Sequence, residues 1–290
     1  MKKVLFTGAC TALVTPFLDG KVNFPMMERL LQRQMDAGIT SVVVCGTTGE
    51  SPTLSDKEKL ELFRRCKAFV DDSMLLICGT GSNDTQHALE LSVAAQEAGA
   101  DALLVVSPYY NKANPEGLYA HYLSIAHAVH LPVILYNVPG RTGVDIPVSV
   151  YKRLSHIPNI AGVKEASTDI VKIARIRMAC GGDLPIWSGN DDQAVAAMAL
   201  GAQGVISVLS NVAPLETQAM ARAALAGDFD TASELQCGML PLIDALFSEV
   251  NPIPVKAAME IIGFDCGKCR LPLAGMHPDN RKKLAAVLGK

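Results

Sequence analysis

The sequence has little that would indicate a partner bound through net charge or through a lipid surface. Its 290 residues carry a formal net charge of −3, which gives no sign of a nucleic-acid or membrane partner. No apolar run reaches the roughly 18 residues that a membrane span needs, and residues 1–8 contain no long apolar segment typical of a signal peptide. We therefore expect a cytoplasmic protein, in which local charge could still bind small anions.

Cysteine and histidine patterns typical of metal centres are also missing. The eight cysteines are spread along the chain, and Cys45 and Cys78 fall inside apolar segments, as small core hydrophobes do. Cys266 and Cys269 form the only C-x-x-C motif, and no second pair completes a tetrahedral zinc site. The six histidines are scattered, and none ends a predicted strand. We therefore expect no metal, and the pattern assigns no role to Cys266 and Cys269.

Eight short apolar segments recur at a steady spacing and predict eight strands. Each is nearly continuous in apolar residues, which is typical of a parallel sheet that is buried on both faces. The predicted strands cover residues 8–14, 41–45, 75–78, 102–106, 133–136, 160–164, 186–188 and 205–208.

Amphipathic segments of helical length separate these strands. Pro25 begins one of them and Gly38 follows it, while Ser55 and Glu58 form a capping box at the start of the next. The remaining predicted helices cover residues 85–98, 116–129, 147–154, 169–178, 192–200 and 214–226. Eight strand–helix units in about 225 residues fit a (β/α)8 barrel, which typically has about 250 residues.

A doubly wound sheet is the alternative architecture, and it would require a glycine-rich turn after its first strand. The first predicted strand is followed by Thr15-Pro16-Phe17, and Gly79-Thr-Gly81 carries only half of the G-x-G-x-x-G pattern. Beyond Asp228 the pattern is helical only, over residues 228–248, 252–262 and 278–289. We therefore predict an α/β fold: a TIM barrel over residues 1–227, with a C-terminal helical region over residues 228–290 packed on it.

Polar side chains gather where the predicted strands end, whereas the strand beginnings carry mostly Gly, Ala and Pro. Active sites of (β/α)8 barrels lie at the carboxyl ends of the strands. The polar segments are Gly46-Thr-Thr-Gly-Glu-Ser51, Ser107-Pro-Tyr-Tyr-Asn111, Tyr136-Asn-Val-Pro-Gly-Arg-Thr-Gly143, Lys164-Glu165, Ser188-Gly-Asn-Asp191 and Gly204-Val-Ile-Ser207. This one-sided distribution predicts an active site at that face.

Lys164 ends an apolar strand, an unusual place because lysine is rarely buried without a partner. Desolvation favours the neutral amine, and a neutral amine can attack a ketone and form a Schiff base. The simpler interpretation is a strand-end lysine whose ammonium reaches water. Tyr136 on the preceding strand could exchange protons with that amine, although a tyrosine at a strand end is more often a core aromatic.

Two loops have the chemistry to bind carboxylates. Backbone N–H groups and hydroxyls of residues 46–49 could hold one, although the same residues could form an ordinary tight turn. Arg141 offers a planar fork suited to a carboxylate, although an arginine in such a turn is usually solvated.

Together these segments resemble the dihydrodipicolinate synthase family of pyruvate-dependent class I aldolases. The resemblance rests on residues 46–51, 108–111, 136–143, 163–166 and 204–207 and on Asn251-Pro-Ile-Pro-Val-Lys256, and it runs through nearly the whole chain in order and at family spacing. It implies a carbon–oxygen lyase that condenses pyruvate with L-aspartate 4-semialdehyde to 4-hydroxy-tetrahydrodipicolinate in lysine and diaminopimelate biosynthesis. It also implies a homotetramer built as a dimer of dimers.

The resemblance implies a role for each matching residue. Lys164 would form the imine with pyruvate and Tyr136 would act as general acid and base. Thr47 would link Tyr136 to Tyr110, which the neighbouring subunit supplies. The substrate-binding residues would be Thr48, Arg141, Gly189 and Ile206. No cofactor is implied beyond the covalent imine on Lys164, because a protonated imine is itself the electron sink.

The resemblance also bears on feedback by lysine. In lysine-inhibited members of the family, the allosteric pocket has a serine, an asparagine and a tyrosine that match Ser51, Asn83 and Tyr109. Its two histidine positions hold Asp56 and Lys59 here, and its glutamate position holds His87. The glutamate would pair with the amine of lysine, and Lys59 adds a like charge beside that ligand. We therefore predict weak or absent inhibition by lysine.

Two alternatives remain open at this level. A sister aldolase such as N-acetylneuraminate lyase would share Lys164 and Tyr136, whereas Arg141 and the Tyr109–Tyr110 pair favour the synthase. A catalytically silent barrel that binds an oxo acid as a regulator belongs to another functional class. Borohydride trapping of a pyruvate adduct would distinguish it from an enzyme.

Overall fold

A computed structural model describes residues 2–290 and contains a closed barrel of eight parallel strands. Around the barrel the order of the strands is β1-β10-β9-β8-β7-β6-β5-β4. They are β1 (Gly8–Ala12), β4 (Ser41–Val44), β5 (Leu75–Gly79), β6 (Ala102–Val106), β7 (Val133–Asn137), β8 (Ile160–Glu165), β9 (Ile186–Ser188) and β10 (Gly204–Ser207). The strands β2 (Phe17–Leu18) and β3 (Lys21–Val22) form a short antiparallel hairpin outside the barrel. The predicted barrel is therefore confirmed, and the doubly wound alternative is excluded because β1 pairs with both β4 and β10.

Helices follow the barrel strands and cover their outer faces. They are α1 (Phe24–Asp36), α2 (Asp56–Val70), α3 (Thr85–Glu97), α4 (Pro115–Ala128), α5 (Pro139–Thr142), α6 (Val148–Leu154), α7 (Val171–Cys180), α8 (Ala194–Ala199) and α9 (Pro214–Leu225). The predicted capping box of α2 is present, since Ser55 and Glu58 each bond the other's backbone N–H. The turn of residues 139–142 is helical, which the sequence interpretation did not anticipate.

The barrel interior forms its own apolar cluster, separate from the larger core between the strands and the helices. Trp187 is fully buried there and stacks on Phe6 with ring centroids 4.7 Å apart. Its indole N–H donates to the Phe6 carbonyl at 3.1 Å. Because Phe6 precedes β1, this pair fills the barrel on the side where β1 begins, and the carboxyl ends of the strands remain for the site.

The C-terminal residues form α10 (Phe229–Leu246), α11 (Ile253–Ile261) and α12 (Pro278–Val287). Helix α10 packs against α8, α9 and α12, and Lys256 of α11 reaches the carboxylate of Glu50 at 2.9 Å. No strand follows β10 in the described part of the chain, as predicted. The division into units at residue 227 stays a prediction.

Cysteines behave as the sequence predicted, since all eight are free and six of them are buried. Within residues 2–290, no helix combines the length and the apolar character needed to cross a bilayer.

Candidate active site

Lys164 and Tyr136 are neighbours across β7 and β8. The strand register pairs the two residues directly, and the Lys164 Nζ lies 4.4 Å from the centroid of the Tyr136 ring. Their exposed fractions are only 5% and 6%. The sequence-predicted amine and the phenol ring therefore meet in a nearly dry environment at the carboxyl ends of the strands.

Backbone packing beside Lys164 leaves no room for a side chain at Gly189. A Cβ atom there would lie 2.5 Å from the Ala166 Cβ and 3.1 Å from the Lys164 Cε. The Gly189 N–H donates to the Glu165 carbonyl at 2.7 Å, which holds the end of β9 against β8. Ile206 of β10 is fully buried in the same interior cluster as Tyr136. Gly189 therefore lies against the Lys164 side chain, and Ile206 belongs to the apolar interior that holds Tyr136.

A strained loop follows β4. Cys45 and Glu50 both adopt left-handed backbone conformations, with φ of 54° and 57°, which are costly for residues other than glycine. The buried Glu50 carboxylate compensates by accepting bonds from the Lys256 ammonium at 2.9 Å and from the Arg270 N–H at 2.8 Å. Thr47, on this loop, is half-buried. Residues of the C-terminal region therefore hold the loop that carries Thr47 in place.

Asn251 joins two predicted substrate-binding residues. Its side-chain amide donates to the Thr48 Oγ1 at 3.0 Å, and its backbone carbonyl accepts a bond from the Arg141 Nη2 at 3.2 Å. Thr48 is buried, whereas Arg141 is exposed on α5. The sequence signalled Asn251 only as part of the motif of residues 251–256 and assigned it no role.

Asp191 is a second residue that sequence reasoning left without a role. It is buried, and one carboxylate oxygen accepts bonds from the backbone N–H groups of Val208 and Leu209, each at 2.9 Å. Burial raises its pKa above the ordinary value, against the opposing effects of the hydrogen bond with Ser207, these N–H groups and the charge of Lys164. These contacts fix the backbone of the segment that follows β10. Ile206 of β10 itself lies in the barrel interior.

A cavity of about 640 Å³ opens beside Tyr136. Its wall includes the predicted site residues Thr47, Tyr136 and Arg141 together with the regulatory candidates Ser51, Asn83 and Tyr109. Lys164, Thr48, Gly189 and Ile206 are not part of this wall. Tyr110 is not on the wall either, because its side chain is 89% exposed and its backbone is left-handed, with φ of 69°.

Three charged or titratable groups on the cavity wall, Asp56, Lys59 and His87, are already paired with one another. The Asp56 Oδ2 lies 2.9 Å from the His87 Nε2, and the Asp56 Oδ1 lies 3.4 Å from the Lys59 Nζ. Burial alone would raise the pKa of Asp56, but the bond from His87 and the charge of Lys59 outweigh it, and the pKa lies below its ordinary value. These are the three positions at which the resemblance implies a departure from the lysine-inhibited pattern.

No group of three or more His, Cys, Asp or Glu side chains is arranged to hold a metal ion in residues 2–290.

Comparisons with known proteins agree with this geometry. The model of the dihydrodipicolinate synthetase family matches residues 5–290. The 4-hydroxy-tetrahydrodipicolinate synthase of Acetivibrio thermocellus is 45% identical over 288 residues, which cover 99% of this chain and 98% of that protein. A crystal structure of the dihydrodipicolinate synthase of Acinetobacter baumannii with pyruvate superposes with a TM-score of 0.95 at 42% identity, over 98% of each chain.

A synthase structure from Cyanidioschyzon merolae with lysine bound is also similar, with a TM-score of 0.95, 38% identity, and coverage of 99% of this chain and 98% of that one. The family predicted from the strand-end motifs is confirmed by the family model and by these relatives. The chain therefore belongs to the dihydrodipicolinate synthetase family.

Proposed function

We propose that the chain is a 4-hydroxy-tetrahydrodipicolinate synthase that condenses pyruvate with L-aspartate 4-semialdehyde in lysine and diaminopimelate biosynthesis. The observation that carries this proposal is the contact between buried Lys164 and Tyr136 at the carboxyl ends of β8 and β7. A lysine amine in such a place can form a Schiff base with a keto acid. Pyruvate in the Acinetobacter baumannii relative supports pyruvate as the first substrate.

In the proposed reaction, the Lys164 amine adds to the pyruvate ketone and water leaves, which gives an iminium. The iminium withdraws electrons from the methyl group, which loses a proton and becomes an enamine. The enamine carbon attacks the aldehyde carbon of the second substrate. The amino group of that substrate then attacks the iminium carbon, closes the ring and releases Lys164. Because the iminium is the electron sink, the proposed route requires no metal or organic cofactor.

The resemblance gives the other site residues their roles in the proposed reaction. Tyr136 moves protons to and from the amine and the carbonyl oxygen. Thr48, Gly189 and Ile206 surround the pyruvate, and Arg141 binds the carboxylate of the aldehyde substrate through its guanidinium.

Assembly follows from the proposed proton relay. Thr47 connects Tyr136 to Tyr110 of a second copy, and the exposure of Tyr110 beside the cavity suits a residue that is donated outward. We expect a homotetramer that is a dimer of dimers in the cytoplasm, with two complete sites in each tight dimer.

Regulation by lysine is weak or absent in this proposal. The carboxylate of Asp56 is engaged by His87 and Lys59, so it is not free to pair with the amine of a bound lysine. The Cyanidioschyzon merolae relative has lysine bound, and that binding is an observation on that protein alone.

Trapping tests the proposed function directly. Pyruvate with borohydride should add mass irreversibly to the peptide that contains Lys164, and Lys164→Arg should abolish the adduct because a guanidinium stays protonated. Lys57→Arg, an exposed control on α2, should label like the wild type. An adduct that persists in Lys164→Arg would contradict the assignment, and failure of the wild type to label would favour a silent binding barrel. A coupled assay with both substrates would separate the synthase from N-acetylneuraminate lyase.

A further inference from the structure

A buried hydrogen-bond cluster lies directly behind the catalytic pair. Side chains alternate between the two faces of a strand, so the residues that follow Tyr136 and Lys164 point away from the barrel interior. These residues, Asn137 and Glu165, are paired in register and are 0% and 3% exposed. The Asn137 Nδ2 donates to the Glu165 Oε1 at 2.8 Å. One side-chain bond therefore joins the two strands at the point where they present the amine and the phenol.

Glu165 receives three more partners from different segments. The Tyr151 hydroxyl of α6 donates to its Oε2 at 3.1 Å, and the Ser167 backbone N–H donates to its Oε1 at 2.8 Å. The Lys172 ammonium of α7 lies 3.7 Å from the Oε2. Burial, together with the charge of Glu165, holds the pKa of Tyr151 well above its ordinary value, so this phenol remains a donor.

Asn137 extends the cluster to the loop that carries Arg141. Its Oδ1 accepts a bond from the Ile146 N–H at 3.0 Å, and its Nδ2 also donates to the Asp145 Oδ1 at 2.8 Å. Asp145 in turn pairs with Lys172. The loop of residues 138–145 is thus closed onto the same two strand ends.

Stability alone is a weak reason for such a cluster. Replacing a buried ion pair with well-packed apolar residues is often neutral or stabilising, so a buried charge is not needed to hold the barrel together. The bonds instead fix an orientation. Donors from four segments hold the Glu165 carboxylate in one position, and this holds the backbone that carries Lys164. Misplacing reacting groups by about 1 Å can cost about 100-fold in rate.

We propose that Asn137, Tyr151, Glu165 and Lys172, here called the rear cluster, are positioning residues that set the separation of the Lys164 amine and the Tyr136 phenol. The proposal rests on the proposed function, because it assigns the rear cluster to imine formation on Lys164. Its members do not touch substrate; they act through the strand ends.

A pair of tyrosine substitutions tests this inference. Tyr151 and Tyr122 are both fully buried on helices and both donate a hydrogen bond, Tyr151 to Glu165 and Tyr122 to the Val105 carbonyl at 3.4 Å. Tyr151→Phe should slow the single-turnover formation of the pyruvate imine about tenfold and lower kcat similarly, with KM for the aldehyde changed far less. Tyr122→Phe removes the same atom outside the rear cluster and should leave both rates within about twofold of the wild type. Rapid borohydride quenching followed by mass spectrometry measures the imine rate.

Glu165→Gln is the second variant. The carboxylate oxygen that faces the Lys172 ammonium would become an amide N–H, which cannot accept a bond from it. It should slow imine formation more than Tyr151→Phe does, and it decides the matter if Tyr151→Phe does not fold. Folded variants that lose thermal stability but form the imine as fast as Tyr122→Phe would overturn the positioning role. Failure of the wild type to form any imine would instead reject the proposed function.

Discussion

Two groups of residues at the 640 Å³ cavity use their polar atoms in opposite ways. Beside Tyr136, the strands that carry the amine and the phenol are bonded from behind by Asn137 and Glu165. Around Asp56, charged side chains bond directly to one another. Contacts made behind the strands leave the amine and the phenol free for a ligand. A site whose charges satisfy each other offers little to a ligand.

The largest expected effect concerns whether the catalytic site around Lys164 and Tyr136 needs a residue from a second subunit. If Tyr110 is donated by a neighbouring subunit, Tyr110→Phe and Lys164→Ala homo-oligomers should each be nearly inactive. Hybrids of the two should recover activity, because one of the two sites in a mixed dimer then has both groups. Co-expression with two affinity tags and a coupled assay of the purified hybrid would measure the recovery.

A mixture of the separately purified variants under conditions that prevent subunit exchange is the matched control for this recovery. No activity in verified hybrids would mean that each site uses its own Tyr110, and the catalytic site would then be complete within one chain.

The next effect concerns the charged group around Asp56 on the cavity wall. Lysine should inhibit weakly or not at all, because the Asp56 carboxylate is already paired and Lys59 places a like charge near the ligand's amine. A steady-state titration checks this, and half-inhibition well below a millimolar would contradict it.

The combined substitution Asp56→His, Lys59→His and His87→Glu sharpens the contrast. It introduces the residues that the resemblance implies for lysine-inhibited members and removes the self-paired charges. We expect it to gain inhibition by lysine without losing the pyruvate adduct on Lys164. If this variant stays insensitive, the self-pairing of charges does not explain the missing response.

The smallest effect is on stability. The folded pKa of Asp56 lies below its ordinary value of 3.8, so its pairing stabilises the fold at pH values above 3.8 and this contribution is lost as the pH falls through the lowered pKa. Because the side chain is 52% exposed, solvent screening limits the contribution, and Asp56→Asn should lower Tm by about 2 °C or less at pH 7.

Thermal melts between pH 7 and pH 3 would follow that difference, which should shrink once the pH falls below 3.8. Asp230→Asn, in the exposed first turn of α10, is the control. A difference that grows as the pH falls below 3.8 would contradict the paired state of Asp56.

Most of the fold was predictable because apolar runs and helix caps are local signals. β6 and β9 have the predicted bounds, whereas β7 and β8 each run one residue further, through Asn137 and Glu165. The apolar pattern stops before these polar residues, but the backbone ladder continues because they bond each other. β1 ends before its predicted limit of residue 14, since the Val14 N–H bonds to the Asn211 side chain. The hairpin of β2 and β3 is too short to show a period.

The site was predictable only where a motif carried it. Lys164, Tyr136 and Arg141 stand in strand-end segments that resemble a known family, so their positions could be named from sequence. Asn251 lies 203 residues from Thr48 along the chain, and no local pattern contains that contact. The partners of Glu165 come from the neighbouring strand, two helices and a loop, and only the loop residue Ser167 is local in the sequence.

Trp187 gives this barrel an internal optical reporter. It is the only tryptophan in the chain, it is fully buried, and the register of β8 and β9 pairs it with Lys164. Indole emission from the native protein therefore comes from a single site on the strand beside the reactive amine. Fluorescence of the unlabelled enzyme can follow events at that strand, and exposure of the indole to water on unfolding will mark the opening of the barrel interior itself.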